Sequence, residues 1–273
     1  MKKFISFSGG VESSALCLLY GKGATALFSD TGNEEPEMYE RLNLAESFMK
    51  AHHNGDFKLI RVKPNVKHKD NFYHTLQNLA KAYGYFPSSG ARYCTRLLKI
   101  DPIDNYLKEQ GECELMIGLN ADEVLDRTGN LSTLKNVTYT TPLSDDGYSR
   151  QDCIDILSEY GIQPNFPPYM KRGGCRLCFF RGKKEAKAKY FFNKDGFLED
   201  MKFELDLNEK GKRKLNKAGN AKKFFGINQG FPLGYQSIIH ECEQEIAMYG
   251  LEQMKSFYTN VGDHKTCGLF CHR

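Results

Sequence analysis

Three cysteines and a glycine turn are the residues of this chain whose types and spacing point to chemistry. Cys175 and Cys178 form a C-x-x-C pair, which begins 81 positions after Cys94. A C-x-x-C turn places two thiolates within reach of one metal ion or cluster, and neighbouring arginines help to keep thiols deprotonated. Because only folding can bring Cys94 to the pair, the sequence predicts a metal or thiol site built from distant segments.

The glycine turn is the run S-G-G-V-E-S-S over residues 8–14, between a predicted strand and a predicted helix. Its two glycines let the backbone approach an anion, and the start of the helix offers unpaired N–H groups at the positive end of its dipole. No lysine stands where a G-x-x-x-x-G-K-[ST] loop requires one, which disfavours a kinase-like transfer. The alternative interpretation is a plain strand-to-helix turn, since Gly and Ser are favoured there.

The elements that must position these residues alternate between strands and helices. Strands are predicted over Lys3–Phe7, Thr25–Ser29, Phe57–Val62 and Glu114–Leu119, and helices over Ser13–Tyr20, Pro36–Met49, Asp70–Tyr83, Lys99–Glu109 and Ser149–Tyr160. This order predicts an α/β fold with a doubly wound parallel sheet. Ligands of such sheets collect beyond the carboxyl ends of the strands, so Ser8, Asp30 and Gly118 are expected to border one site.

A loop rich in Pro and Gly over residues 161–174 predicts a boundary in the chain. We expect a nucleotide-binding domain over residues 1–165 and a C-terminal region over 166–273. The C-terminal region contains the C-x-x-C pair and is expected to be partly helical.

The composition is that of a globular protein, with 40% hydrophobic and 26% charged residues among 273, which excludes a disordered chain. No apolar run is long enough to span a bilayer, and we expect a cytoplasmic protein without a membrane partner. Nine cysteines form an odd count, which favours metal binding or thiol chemistry over a disulfide framework.

A basic run over Lys210–Lys223 contains seven Lys or Arg and no acidic residue, while the whole chain has a formal charge of only +4. One interpretation is a solvated surface loop. The other is a contact with the phosphate backbone of tRNA or DNA.

The glycine turn resembles the S-G-G-x-D-S signature of the PP-loop ATP pyrophosphatase (adenine nucleotide alpha hydrolase-like) superfamily, with Glu12 where these proteins usually have Asp. Two further runs match in register. The run D-T-G-N-E-E-P-E from Asp30 resembles D-T-G-x-x-x-P-E, and Gly118–Arg127 is similar to G-x-R-x-x-E-x-x-R, with Asn120 in place of the first arginine. These runs are typical of the phosphoadenosine phosphosulfate (PAPS) reductase family, and the resemblance covers roughly residues 3–182.

This resemblance implies a PP-loop, HUP-like Rossmannoid fold that binds ATP with Mg²⁺ and cleaves ATP to AMP and pyrophosphate in order to adenylylate an acceptor. The residues that it implies for nucleotide binding are Ser8, Gly9, Gly10, Ser13, Ser14, Asp30 and Gly118. The catalytic residues that it implies are Glu12, Arg127 and Cys267; a surface arginine is the alternative reading of Arg127.

The cysteines resemble the C-C-x-x-R-K-x-x-P and C-x-x-C motifs of adenylylsulfate reductases, in which four thiolates hold a [4Fe-4S] cluster. Cys94 matches the first cysteine, Thr95 replaces the second, and Lys99 and Pro102 keep their places. The implied metal ligands are Cys94, Cys175, Cys178 and Cys267. Either Cys267 completes the set or one iron is left open, as in the three-cysteine tRNA thiolation enzymes; Zn²⁺ is the alternative metal.

The run T-C-G-L at Cys267 is similar to the E-C-G-L-H tail of sulfonucleotide reductases, whose cysteine attacks sulfur. Cys267 is thus a metal ligand, a catalytic thiol or a tail cysteine without a role. The favoured hypothesis is an adenylylating enzyme with iron–sulfur-dependent sulfur transfer, whose acceptor is a nucleic-acid base, with a sulfur donor protein and a homodimer as further expectations. The alternatives are a sulfonucleotide reductase and a non-catalytic nucleotide- or nucleic-acid-binding module.

Overall fold

The computed structural model of the protein describes residues 1–123, 134–163, 165–171, 173–212, 226–228 and 230–259. Its strands are β1 (Lys2–Ser6), β2 (Ala24–Ser29), β3 (Phe57–Val62), β4 (Val66–His68), β5 (Asn71–Tyr73), β6 (Cys113–Ile117) and β7 (Val137–Thr140). Five of them form a sheet in the order β3-β2-β1-β6-β7, in which every pairing is parallel. The order reverses between β1 and β6, which is where ligands of doubly wound sheets bind.

The helices before the C-x-x-C pair are α1 (Val11–Tyr20), α2 (Pro36–His52), α3 (Leu76–Tyr83), α4 (Tyr93–Thr95), α5 (Asp101–Lys108), α6 (Pro142–Asp145) and α7 (Arg150–Glu159). A π-helical turn, Arg96–Ile100, joins α4 to α5. The helices after the pair are α8 (Lys183–Phe192), α9 (Lys194–Lys212), α10 (Tyr235–Tyr249) and α11 (Leu251–Tyr258).

Alternating side chains of the sheet build an apolar layer on each face. Ile5 and Met116 pack with α1, α2 and α7 on one face, whereas Phe4 and Leu115 pack with α5 on the other. Successive residues of a strand point to opposite faces, so strands that are apolar throughout require helices on both sides. The predicted α/β fold with a doubly wound parallel sheet is confirmed.

The predicted helix Asp70–Tyr83 is wrong in its first part. Residues 71–73 form β5, which pairs antiparallel with β4 through a turn in which Lys69 has a φ of 53°. The helix begins only at Leu76, because the Thr75 hydroxyl caps it by accepting a hydrogen bond from the Asn78 N–H at 3.3 Å.

The C-terminal region contains the expected helices, and α8, α9 and α10 enclose their own apolar cluster around Phe197, Tyr235 and Ile238. The boundary between residues 165 and 166 stays a prediction. Of the helices in the described ranges, none combines the length and apolar character needed to cross a membrane.

Candidate functional site

The glycine turn leaves β1 and enters α1 with its backbone held by two serines. The Ser13 hydroxyl accepts a hydrogen bond from the Ser8 N–H at 3.2 Å and lies 3.1 Å from the Ser8 hydroxyl. Gly9 has a φ of +74°, and a Cβ at this position would lie 2.9 Å from the terminal methyl of Met38. The turn therefore requires glycine at position 9 both for its backbone conformation and for the space beside α2.

The first turn of α1 has no side-chain cap among the described residues. Its N-cap residue is Gly10, so the first N–H groups of the helix, which have no partner within the helix, are available to an anion. The Ser14 hydroxyl is buried and has no hydrogen-bond partner among the described residues. A buried hydroxyl without a partner is costly in a folded protein, and a bound phosphate oxygen would satisfy it.

The end of β6 lies directly against this turn. A Cβ at Gly118 would lie 3.1 Å from the Ser13 amide nitrogen, so a larger residue would push the strand end away from α1. Two residues later, the buried Asn120 donates from Nδ2 to the Glu12 carboxylate at 3.3 Å. The structure thus brings together the first and third of the three runs singled out in the sequence.

Glu12 also forms an ion pair with Arg150, the first residue of α7. Both side chains are largely buried, and the Arg150 Nε has no partner among the described residues. Sequence reasoning missed Arg150, because it lies outside every matched run and carries no spacing signal of its own.

A second cation that the sequence did not reveal is Arg41 of α2. Its Nε donates to the Gly9 carbonyl at 2.9 Å and its Nη1 to the Gln163 carbonyl at 3.3 Å. Burial lowers the pKa of Arg41 to about 10, and it forms no ion pair with a carboxylate in the described part of the chain. A desolvated guanidinium beside the glycine turn favours an anionic ligand.

Asp30, at the end of β2, holds a turn rather than standing free. Its Oδ1 accepts from the Gly32 N–H at 3.0 Å and from the Tyr39 hydroxyl at 2.7 Å. These bonds fix the entrance to α2 through Oδ1, and the role of Asp30 in nucleotide binding stays a prediction.

The C-x-x-C pair packs against the loop that follows β2. The Cys175 thiol lies 3.7 Å from Glu34 Oε1 and 3.9 Å from the Thr31 hydroxyl, and the Arg176 N–H donates to the Asn33 carbonyl at 2.6 Å. Burial raises the pKa of Glu34 and raises the pKa of Cys175 to about 12. Burial therefore favours the protonated form of both groups, and the nearby charge of Lys99 acts in the opposite direction on each.

Lys99 is the cation that all three cysteines share. The thiolate of Cys175 raises the pKa of Lys99 most, with further contributions from Glu34, Cys178 and Cys94. Cys94 itself has a raised pKa because of burial, which the Lys99 charge partly offsets. Folding has brought Cys94 and the C-x-x-C pair near the same ammonium group, and their role as metal ligands stays a prediction.

Two cavities meet at these residues. The first, which we call the loop cavity, has a volume of about 1060 Å³ including its open mouth, and its lining includes Ser8, Ser29 and Glu34. The second, the cysteine cavity, has a volume of about 380 Å³ and is walled by all three cysteines together with apolar side chains such as Phe86 and Phe179. The residues that line both cavities are Thr95, Lys99, Cys175 and Cys178.

The cysteine cavity has the donors for a metal group, although its thiols are not gathered round a single point. Within the described ranges, no group of three or more His, Cys, Asp or Glu side chains is close enough together to hold a metal ion. Three free thiols from two segments on one largely apolar cavity nevertheless fit a sulfur-liganded group. Cys94, Cys175 and Cys178 would hold that group.

A buried ionic network fixes the C-x-x-C segment to α2 and to the C-terminal helices. Glu35 accepts from Arg181 at 3.0 Å and from Lys189 at 2.6 Å. Asp200 accepts from Lys189 at 2.7 Å and from Arg176 at 2.5 Å. Because Arg176 and Arg181 flank Cys178, the network holds the pair in place rather than activating its thiols.

Several predicted site residues lie outside the described residues. These are Arg127, Cys267 and positions 213–223 of the basic run. Four further cysteines, Cys17, Cys113, Cys153 and Cys242, are free and buried, which is typical of cysteine that packs as a small apolar side chain.

Comparison with known proteins identifies one family. The family described as "Phosphoadenosine phosphosulfate reductase domain" matches this chain over residues 2–138. Among solved structures, the chain is similar to the crystal structure of phosphoadenylyl-sulfate (PAPS) reductase from Candida auris in complex with phosphate. The sequence identity is 16% and the TM-score 0.43, over 59% of this chain and 73% of that one. A comparison with curated proteins finds no significant match.

Proposed function

The chain belongs to the phosphoadenosine phosphosulfate reductase family. From this premise we propose that it cleaves ATP to AMP and pyrophosphate in order to adenylylate an acceptor, which then receives sulfur. The observation that carries the proposal is the shared wall of the two cavities. Lys99, Cys175 and Cys178 line both the cavity that opens at the glycine turn and the cavity that contains the thiols. A nucleotide bound at the turn would therefore have its reacting end close to the cysteine centre.

The glycine turn supports binding of the leaving pyrophosphate. Free N–H groups of α1, the unpartnered Ser14 hydroxyl and the Arg41 guanidinium surround the turn. Fixed donors of this kind stabilise the charge that develops on the pyrophosphate as the bond to the α phosphorus breaks. Glu12 is the carboxylate that would hold Mg²⁺ there, in exchange for part of its contact with Arg150.

The proposed reaction balances in two steps. An oxygen of the acceptor attacks the α phosphorus of ATP, the bond to the β-phosphate oxygen breaks, and pyrophosphate leaves. A hydrosulfide, supplied by a sulfur donor, then attacks the carbon that bears the adenylyl group; a carbon–sulfur bond forms and AMP leaves. We propose a nucleic-acid base as the acceptor.

The cysteine centre is proposed to hold a [4Fe-4S] cluster on Cys94, Cys175 and Cys178, with Zn²⁺ as the alternative. When bound, such a cluster supplies redox capacity and a Lewis acid that binds sulfur. The chain's own part is to supply thiolates, to offset their charge with Lys99 and to shield the centre with the apolar wall of the cysteine cavity.

The nucleotide half of the proposal is tested with ATP labelled at the α phosphate. Incubation with pools of tRNA and DNA should yield labelled AMP and equimolar pyrophosphate. Ser14→Ala should raise the Kd of ATP without lowering thermal stability, because the hydroxyl has no hydrogen-bond partner to lose among the described residues. Ser158→Ala, on the exposed end of α7, is the matched control. Absence of pyrophosphate release with every acceptor would refute the proposal and, if ATP still binds, favour the non-catalytic module.

The metal half is tested by anaerobic purification with analysis of iron, sulfide and zinc. Alanine substitution of Cys94, Cys175 or Cys178 should each remove the metal, whereas Cys153→Ala, a buried thiol on α7, should retain it. A colourless protein with stoichiometric zinc would refute the cluster. Loss of iron from Cys267→Ser would identify the fourth ligand, and full retention would leave one iron open.

A sulfonucleotide reductase is the second candidate, and Lys99 is the observation that favours it. Its ammonium group lines the loop cavity beside Cys175, where it would bind the sulfate of PAPS. Release of sulfite from PAPS in the presence of a thiol reductant, lost in Cys267→Ser, would support this function instead. The uncapped turn and the unpartnered Ser14 hydroxyl favour the ATP-cleaving reaction, in which pyrophosphate must be bound.

A further inference from the structure

The segment over residues 63–96, which leads from β3 to the cysteine centre, holds an unusual share of the charge of the chain. It contains six Lys or Arg and a single acidic residue, Asp70. Its formal charge of +5 exceeds the +4 of the whole chain, so the other residues together have a net charge of −1. The run Lys210–Lys223 has a formal charge of +7, so the positive charge is concentrated in two segments, of which residues 63–96 lead to the candidate site.

The same segment holds a row of aromatic rings. The centroid of the His68 ring lies 4.8 Å from that of Tyr83, and the Tyr83 ring stacks on Tyr85 at 5.8 Å. Tyr93 lies edge-on to both tyrosines, at 4.9 and 5.4 Å. Tyr93 is followed in the chain by Cys94, so the row runs from the β4–β5 hairpin to the mouth of the cysteine cavity.

Two aromatic side chains of this segment are exposed to solvent and contribute little to the apolar core. Phe72 is 55% exposed and Tyr85 is 43% exposed. Lys67 lies directly across the hairpin from Phe72, and these two exposed side chains share the outer face of the hairpin, opposite to the face on which His68 contacts Tyr73 and Tyr83. The exposed Lys63 precedes β4, and the exposed Lys69 lies in the turn between β4 and β5. None of these three lysines forms an ion pair within the part of the chain that the structure describes.

We propose that this surface, the hairpin Val66–Tyr73 together with Tyr83, Tyr85 and Tyr93, binds a single-stranded segment of nucleic acid and presents it to the cysteine cavity. We call this surface the aromatic ridge. Lysines without an ion pair in the described part of the chain attract the phosphates of the strand, and the exposed rings of Phe72 and Tyr85 stack on bases that are free only in single strands. Tyr83 and Tyr93 are half-buried, and their rings pack against Tyr85 and support it. The inference rests on the proposed function in taking a nucleic-acid base as the acceptor.

The aromatic ridge provides a binding surface for the acceptor, which the glycine turn and the cysteines do not provide. The loop cavity accounts for a nucleotide and the cysteine cavity for sulfur chemistry, but neither provides a surface large enough for a macromolecular acceptor. The ridge adjoins the cysteine cavity because Tyr85 and Tyr93 directly precede Phe86 and Cys94, which line this cavity. A base at the end of the ridge would therefore reach the shared wall of the two cavities.

The test is a fluorescence anisotropy titration of the full chain with labelled RNA and DNA of about 16 nucleotides, the upper range of a compact single-strand site. Both single strands and the matching duplex are titrated, without ATP. The wild-type protein should bind single strands more tightly than the duplex. Tyr85→Ala should weaken binding about 5- to 150-fold, the range for losing one stacked base, whereas Tyr85→Phe should bind like the wild type.

Lys67→Gln should reduce the slope of log K against log salt by about 0.7, the value for one phosphate contact on a single strand. The matched controls lie at the amino end of the sheet strands. Tyr160 is 45% exposed and contacts His52 at the end of α2, and Lys22 is an exposed lysine just before β2. Tyr160→Ala and Lys22→Gln should change neither affinity nor salt slope.

Three results would overturn the proposal: no binding of single strands, preference for the duplex, or Tyr85→Ala and Lys67→Gln variants that bind like the wild type. If binding depends on Lys210–Lys223 instead, the Tyr85→Ala and Lys67→Gln variants will bind like the wild type, which is the third result. The tighter of the two single strands identifies the acceptor as RNA or DNA. The ridge and the proposed function can fail separately. If single strands bind at the ridge but no pyrophosphate is released, ATP cleavage alone is refuted. If pyrophosphate is released but the ridge variants bind single strands like the wild type, the ridge alone is refuted.

Discussion

Replacing Glu35 by Gln is expected to destabilise the protein by about 3 kcal/mol, the lower end of the range for breaking a buried ion pair by removal of one charge. The Glu35 carboxylate is 1% exposed and accepts from Arg181 at 3.0 Å and Lys189 at 2.6 Å. Both partners are almost completely buried. Glutamine has the same shape and keeps one acceptor, which places the cost at the lower end rather than the upper.

The loss of charge leaves the two cations unequally compensated. Lys189 keeps its contact with Asp200 at 2.7 Å, whereas Arg181 keeps no ion pair within the described residues. An uncompensated buried guanidinium is the larger part of the expected cost. Since Arg181 follows the C-x-x-C pair, the substitution should also loosen the cysteine segment from α2.

The assay is thermal and urea unfolding at pH 7, with Glu40→Gln as the control. Glu40 is an exposed carboxylate on the same helix, and its substitution should change stability by less than about 0.5 kcal/mol. For a chain of this size, about 3 kcal/mol corresponds to a fall in Tm of roughly 6 °C. A Glu35→Gln protein as stable as Glu40→Gln would refute the reasoning.

The pH dependence provides a second measurement. Burial acts to raise the pKa of Glu35, but the charges of Arg181 and Lys189 outweigh it and hold the pKa below its usual value. A carboxyl group with a lowered folded-state pKa contributes stability above its unfolded pKa of about 4.3, and loses it as the pH falls through the folded value. The stability difference between wild type and Glu35→Gln should therefore be full at pH 7 and shrink below about pH 4.

Three further substitutions or measurements follow from the site. Gly9→Ala and Gly55→Ala should each lower the stability by about 1–2 kcal/mol, because both glycines have a positive φ. Only Gly9→Ala, whose Cβ would meet Met38 beside the glycine turn, should also raise the Kd of ATP. Equal ATP affinity of the two variants would contradict the role of the turn. Burial raises the pKa of Cys175 to about 12, so little of this thiol is ionised at pH 8 in the folded, metal-free protein. Its reaction with iodoacetamide, followed by peptide mass spectrometry, should be on the order of a thousandfold slower than in the protein unfolded in urea. Similar rates in the folded and unfolded protein would contradict its burial. Arg150→Gln should weaken binding of ATP about tenfold or more while leaving AMP binding nearly unchanged, as measured by calorimetry. We expect the guanidinium, which pairs with Glu12 in the structure, to donate a charged hydrogen bond to the outer phosphates once Glu12 holds Mg²⁺; equal losses for both nucleotides would contradict this expectation.

The parts of the fold and site that the sequence predicted are those encoded by local signals. Strand β1, the glycine turn and α1 are adjacent in the chain, and the apolar run, the two glycines and the helix start each carry a local physical reason. The hairpin Val66–Tyr73 was missed because its strands have only three residues each, too few for a period to emerge. Its neighbour α3 supplied a helical pattern that the prediction extended too far towards the amino end.

The ionic network could not have been predicted from local patterns. Lys189 lies in a run of lysines and alanines that resembles a solvated helix face, and its complete burial depends on Glu35 and Asp200 arriving from distant segments. Arg41 is likewise an ordinary helix residue until the Gly9 carbonyl and Gln163 are placed beside it. Charge pairing across long sequence separations becomes visible only when tertiary contacts are known.

Asn120 and Arg150 suggest a test of whether a departure from a family motif is compensated in space, because both side chains contact Glu12. The sequence places Asn120 where the motif has its first arginine, which by itself indicates weaker recognition of anions. In the structure, both Asn120 and Arg150 donate to the same Glu12 oxygen, so a guanidinium reaches this position from α7 instead of from the end of β6. The electrostatic field at the glycine turn depends on where the charge lies and not on which element supplies it. A substitution in a motif is therefore evidence of lost function only when no other element delivers the missing group to the same place.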